Sequence, residues 1–261
     1  MVFPITGGTQ STGYEVSNSL RFNDDDSPKL TFTPSSAGNR RTFTLSVWFK
    51  LSVQGSTGER VLLAADDGTG SNNNFDYIAI NAADKIFVYN YEGSQGYNLI
   101  STQLLRDPSA WYHLVVAMDT SQANSANRMK IYVNGEQQTS LATANYMTQD
   151  LTTTIMSNTE ITIGRDITDD DEPFDGYMAE IFVVDGTAYA ASDFGKTDSN
   201  GVWVPIDAKP NITFGTHGFY MEFKQTGTGT NSSGIGADTS GNDNHYAVTN
   251  LAAVDVTTDT P

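Results

Sequence analysis

Residues 111–137 read WYHLVVAMDTSQANSANRMKIYVNGEQ, and the reading of this stretch decides the fold. Trp111–Asp119 is apolar on both faces at its middle, the pattern of a central strand covered on two sides. Asp119–Asn127 is a polar loop, rich in residues that tolerate turn conformations and satisfy their own backbone. Arg128–Val133 (RMKIYV) alternates as a strand again and runs into Asn134-Gly135, the commonest type I′ turn pair. Strand, polar connection, strand and tight turn make an antiparallel unit with no helical period in it.

The same grammar extends both ways. Thr42–Lys50 (TFTLSVWFK) sets Phe43, Leu45, Val47 and Phe49 on one face and Thr42, Thr44, Ser46 and Trp48 on the other. Lys85–Tyr91 (KIFVYNY) aligns Phe87, Tyr89 and Tyr91, and Tyr177–Val184 (YMAEIFVV) ends at the turn pair Asp185-Gly186. Shorter strands are predicted at Ser19–Asn23, Lys29–Phe32, Arg60–Ala64, Tyr77–Ile80, Ile161–Gly164 and Phe219–Phe223. The best helical candidate is a turn or two near Ala190–Phe194. Together these predict an all-β protein, an antiparallel two-sheet sandwich or jelly roll. The Gly/Thr/Ser-rich stretch Gly227–Gly241 reads as a mobile tail.

Composition excludes several functions. The chain has 261 residues, no cysteine, and 14 Lys+Arg against 31 Asp+Glu, a formal charge of −17. Without cysteine there is no disulfide framework and no thiolate metal site. The acidic balance opposes a nucleic-acid partner. No run of about 18 apolar residues offers a membrane-inserting helix. The start, MVFPITGGTQ, lacks the basic and apolar regions of a signal peptide.

The hairpin string resembles the central hairpin of laminin-G-like, concanavalin A-like domains, which carry W-x-H-φ (φ apolar), a polar loop, and φ-x-φ-Y-φ-[ND]-G-E. IGRD at Ile163–Asp166 and FDGYMAEIFVVDGTAY at Phe174–Tyr189 resemble that family's later strand, and SNSLRF and RTFTLSVWFKL its opening strands. The resemblance spans roughly Ser17 to Phe194 and implies a concanavalin A-like jelly roll. FGKTDSNGVWVP (Phe194–Pro205) and the late DTSGNDNHYAVT string resemble a variant in predicted proteins of marine and aquatic bacteriophages. The D-x-SGN-x-NH string comes near the start in many relatives. Its late position here leaves two options, a sandwich completed by a C-terminal strand or a second domain cut short. The division expected is an N-terminal arm over 1–16, the sandwich over 17–225, and a segment over 226–261 with a closing strand or C-terminal extension.

Glucanase relatives use paired carboxylates in an E-x-D-x-x-E strand motif, and no glutamate here has Asp two positions on. His113 reads as a packed structural histidine, while His217 and His245 lie in polar loops without a nucleophile motif. Asp24–Asp26, Asp66-Asp67 and Asp169-Asp170-Asp171 read first as solvated loops. The densest, Asp169, Asp170 and Asp171 beside Glu172, is the candidate calcium site. Glycan binding needs an aromatic plane with hydrogen-bonding neighbours, for which Tyr89, Asn90, Tyr91, Tyr97 and Trp203 are the candidates. The competing reading of Tyr89 and Tyr91 is inter-sheet core.

These readings converge on a non-enzymatic bacteriophage virion structural protein: a capsid decoration, knob, or fibre or tail appendage that contacts host or environmental glycans. It is expected at the virion surface after synthesis in the host cytoplasm, with other virion proteins as partners. The resemblance implies a homo-oligomer, with a trimer favoured. The alternatives are a secreted bacterial adhesion module and a polysaccharide-degrading glucanase relative.

Overall fold

The computed structural model describes residues 13–67, 74–93, 95–166 and 172–261. The described strands are β1 (Ser19–Phe22), β2 (Lys29–Phe32), β3 (Thr42–Leu51), β4 (Arg60–Asp66), β5 (Asn74–Ile80) and β6 (Ile86–Glu92). There follow β7 (Gln95–Ser101), β8 (Tyr112–Asp119), β9 (Met129–Val133), β10 (Glu136–Gln137), β11 (Leu141–Asn145) and β12 (Glu160–Ile163). The last six are β13 (Gly176–Asp185), β14 (Gly195–Thr197), β15 (Trp203–Pro205), β16 (Phe219–Met221), β17 (Ala247–Thr249) and β18 (Val256–Thr257).

Sixteen of them form two antiparallel sheets of eight strands each, a two-layer β-sandwich, and β14 and β15 pair separately. The first sheet runs β10-β9-β8-β3-β13-β1-β18, with β16 also on β13. The second runs β11-β7-β6-β5-β4-β12-β2-β17. The quoted hairpin is β8 and β9, registered Leu114 to Val133 and Met118 to Met129. Between the sheets lies the main core, where Phe43, Leu45, Val47 and Phe49 of β3 meet Ile78, Ile80, Val88 and Leu99 from the second sheet. Period-two alternation in both sheets makes this possible, because alternate side chains leave each sheet on one face.

The first sheet is also covered on its outer side. After β13 the chain folds back, and Ala191, Phe194, Ala208, Ile212 and Phe214 pack with Val115, Phe182 and Val184 in a second cluster. That is why β8 is apolar on both faces. A 3-10 turn at Ala191–Asp193 stands where a turn or two of helix is predicted, and β14 pairs β15 in a small hairpin within this layer.

The C-terminal part closes both sheets. β17 adds to the edge beside β2, and β18 to the edge beside β1. The stretch Gly227–Gly241, expected to be a mobile tail, is folded: Ile235 and Ala237 are buried, and the Ile235 N–H donates to the Gly227 carbonyl at 2.7 Å. The Asp238 carboxylate orders it by accepting from the backbone N–H groups of Tyr220, Ser240 and Asn244 at 2.8–2.9 Å. The DTSGNDNH string thus clasps β16. Glycine-rich composition loses to a buried carboxylate with three backbone donors.

Two motif glycines have steric reasons. Gly164 sits at φ +89°, and a Cβ there would lie 2.4 Å from a Phe22 ring carbon. At Gly176 a Cβ would lie 2.1 Å from the Lys50 carbonyl oxygen across the β13–β3 pair.

Candidate functional site

Strand alternation divides the predicted glycan residues. Tyr89 and Tyr91 leave the second sheet on its outer face, so they are not inter-sheet core. Asn90, between them, points inward and is fully buried, as is Tyr97, its cross-strand partner on β7. This corrects the grouping of the four: a period of two cannot place Asn90 beside its two neighbours. Asn90 and Tyr97 instead serve a buried carboxylate. Asp76 accepts from Asn90 Nδ2 at 2.7 Å, Tyr97 Oη at 2.8 Å, the Ile155 N–H at 2.8 Å and the Thr154 N–H. Burial pushes the Asp76 carboxyl up to about 6, against the pull of those donors.

On the outer face, register assembles an aromatic platform that the strand patterns show only in part. Tyr77 pairs with Tyr89, and Phe75 with Tyr91, across β5 and β6. Phe75 stacks on Tyr77 and on Tyr91 with centroids 5.0 and 5.5 Å apart, and Tyr77 lies 5.7 Å from Tyr89. Phe87 closes the group 5.4 Å from Tyr89. All but Phe87 are half-buried rather than covered. Beyond Tyr89 the same cross-strand row continues through Asn98 to Asn145, and beyond Tyr77 through Ala64 to Thr162. Flat rings flanked by the Asn98 and Asn145 amides can stack against a pyranose and hydrogen-bond its hydroxyls. Burial raises the Tyr77 and Tyr89 phenols, so these rings are neutral donors and acceptors at neutral pH. Phe75 escaped the sequence reading because its strand is recognised only from Tyr77 onward, and Tyr77 because only cross-strand register sets it beside Tyr89.

Trp203 lies on the other side of the molecule, over the outer face of the first sheet. Its indole Nε1–H donates to His113 Nδ1 at 3.0 Å, and His113 Nε2 pairs with Ser46 Oγ at 2.8 Å. The donor at Nδ1 assigns the remaining ring proton to Nε2. His113 is fully buried, which lowers it to about 3 and keeps it neutral.

The motif glutamate Glu180 has an unforeseen environment. It sits at φ +49° in the bulge where β13 shifts register against β3, and it is buried. Tyr220 and Tyr14 donate to its Oε2 at 2.6 and 3.0 Å, tying the segment before β1 to the first sheet. Burial raises its carboxyl to about 7.

Among the described residues no group of three or more acidic or histidine side chains is placed to hold a metal ion. Asp24–Asp26 form an exposed 3-10 turn, and Asp67 accepts from Asn74 Nδ2 at 2.6 Å across the β4–β5 connection. Asp169, Asp170 and Asp171 lie outside the described residues.

Residues 24–193, well over half of the chain, match a laminin G-type family described as the Concanavalin A-like lectin/glucanases superfamily. No curated protein matches the chain. Among solved structures, the native heptameric SAP-like pentraxin of Limulus polyphemus is similar at 13% identity and a TM-score of 0.48, covering 68% of this chain and 80% of that one. The CBM40 of the Ruminococcus gnavus IT-sialidase, bound to α2,3-sialyllactose, is similar at 14% identity and 0.42, covering 61% and 87%. Domain 4 of AbnA, a GH43 extracellular arabinanase of Geobacillus stearothermophilus in complex with arabinotriose, follows at 14% and 0.43, covering 58% and 64%.

Proposed function

We propose, from the premise that the chain belongs to the Concanavalin A-like lectin/glucanases superfamily, that it is a non-enzymatic glycan-binding sandwich displayed on a bacteriophage virion. The observation that carries the glycan reading is the aromatic platform of Phe75, Tyr77, Tyr89 and Tyr91, flanked by Asn98 and Asn145 on the outer face of the second sheet. Isolated surface aromatics need no explanation, whereas a contiguous stacked patch with polar flanks marks an interaction site. The virion reading is supported by the phage-like Phe194–Pro205 and DTSGNDNHYAVT strings and by a cysteine-free composition suited to assembly in a reducing cytoplasm.

A glycan array followed by calorimetry tests the first part. Tyr89→Ala with Tyr91→Ala is expected to abolish binding to the strongest hits while the melting temperature stays near that of the parent. Binding unchanged in the double variant removes the platform from the reading. Mass spectrometry of purified particles tests the second part, and its absence from every structural fraction would refute the virion assignment.

A further inference from the structure

All three tryptophans of the chain line one cleft, on the side of the sandwich opposite the tyrosine platform. The cleft measures about 950 Å³, inside the range of ligand sites. Trp48 and Trp111 come from the outer face of the first sheet. The rest of the wall is built by Tyr14–Val16 before β1, by the β14–β15 hairpin, and by Thr260 and Pro261. Those added segments lie outside the 24–193 stretch that matches the family.

The indoles are held rigid. Trp48 stacks on His113 at 4.7 Å and 21°, and His113 faces Trp203 at 6.0 Å and 20°. Trp203 is further clamped between two glycines: a Cβ on Gly135 or Gly195 would lie 2.4 or 2.6 Å from its ring. With Nε1 spent on His113, its orientation is set before any ligand arrives. Across the cleft, Trp111 is fixed by its Nε1–H to Asp259 Oδ1 at 3.2 Å and by an edge contact with Tyr177 at 6.5 Å. Trp111 and Trp203 are only partly buried, and Val202 on the rim is 55% exposed. Lys196, Asn200 and Glu15 supply exposed polar groups beside these apolar planes.

We infer that this cleft is a second carbohydrate site, taking a short neutral oligosaccharide between Trp111 and Trp203. Preorganised aromatic planes with a polar rim suit the alternating C–H and hydroxyl faces of a pyranose. Glu15, Asp198 and the charge of −17 oppose a phosphate-bearing ligand. The ligand class rests on the proposed glycan-binding function, but the site does not share a residue with the platform. A chain with a site on each face bridges two glycans.

The tryptophans make the site separately readable, because the platform contains only Phe and Tyr. Cellotetraose, laminaritetraose and maltotetraose are titrated into the full chain, with tryptophan emission and calorimetry read in parallel. At least one is expected to shift the emission saturably, and the shift survives Tyr89→Ala with Tyr91→Ala. Val202→Glu, a rim change with little effect on folding, is expected to weaken it at least about tenfold, as is Trp111→Ala. Calorimetric binding with silent tryptophans, or a shift lost in the double tyrosine variant and kept in Val202→Glu, overturns the second site and leaves the platform standing. No binding by either readout overturns this site, while the platform reading stands or falls with the array hits and the double tyrosine variant.

Discussion

Replacing Glu180 with glutamine isolates one buried proton. The carboxyl is raised from 4.5 to about 7, first by burial and then by the nearby Glu222, while the Tyr220 and Tyr14 hydroxyls and Lys224 pull the other way. The folded chain therefore keeps this proton between pH 4.5 and about 7, where the unfolded chain has released it. The resulting stability is complete below pH 4.5, falls as pH rises through that window, and is gone above about 7. Such a displacement corresponds to about 3 kcal/mol. Glutamine keeps a neutral acceptor for both tyrosines and cannot ionise. The stability of Glu180→Gln relative to the parent is thus expected to rise by about 3 kcal/mol between pH 4.5 and pH 8. Urea unfolding at half-unit pH steps measures it, and the other carboxylates cancel in the difference between the two chains. Tyr14→Phe sharpens the test, because losing a donor to the carboxylate moves the upper limit of the window to higher pH. Parallel curves for parent and Glu180→Gln across the whole range would refute the reasoning.

Two further expectations follow from the packing and one from the sequence. Gly164→Ala forces a side chain into left-handed backbone against the Phe22 ring and is expected to cost about 2–4 kcal/mol in urea unfolding; a loss below about 0.5 kcal/mol would mean the strand end relaxes freely. Asp76→Ala strands the Asn90, Tyr97, Thr154 and Ile155 donors in the interior, an expected loss of about 3–5 kcal/mol. Its own pH signature runs like that of Glu180, with stability falling between pH 3.8 and about 6. Calcium coordinated by Asp169, Asp170 and Asp171 would raise the melting temperature reversibly with EDTA, and an unchanged melting curve removes that site.

Legibility followed burial pattern and chain length. The long strands β3, β8 and β13 were evident because each carries a full alternation or a doubly apolar centre facing a core. β7 and β11 were missed: QGYNLIS is weak in strand-forming residues, LATAN is five residues long and mostly exposed, and both take their place at one end of the second sheet from pairing rather than from their own pattern. The same limit applied to the glycan residues. Tyr89 and Tyr91 were found by their spacing, but Asn90 and Tyr97 were grouped with them by proximity along the chain, which alternation contradicts.

What the sequence determined alone is the class of structure: period two, turn pairs and the hairpin motifs specify an antiparallel sandwich, because each acts over a few neighbouring residues. The platform depends on register, which brings Phe75 and Tyr77 of one strand against Tyr91 and Tyr89 of the next. The cleft depends on longer reach still, joining Tyr14, Trp48, Trp111, Trp203 and Pro261 from across the whole chain. Such sites form only when the sheets close and the outer layer folds back over them, and no local pattern carries that information.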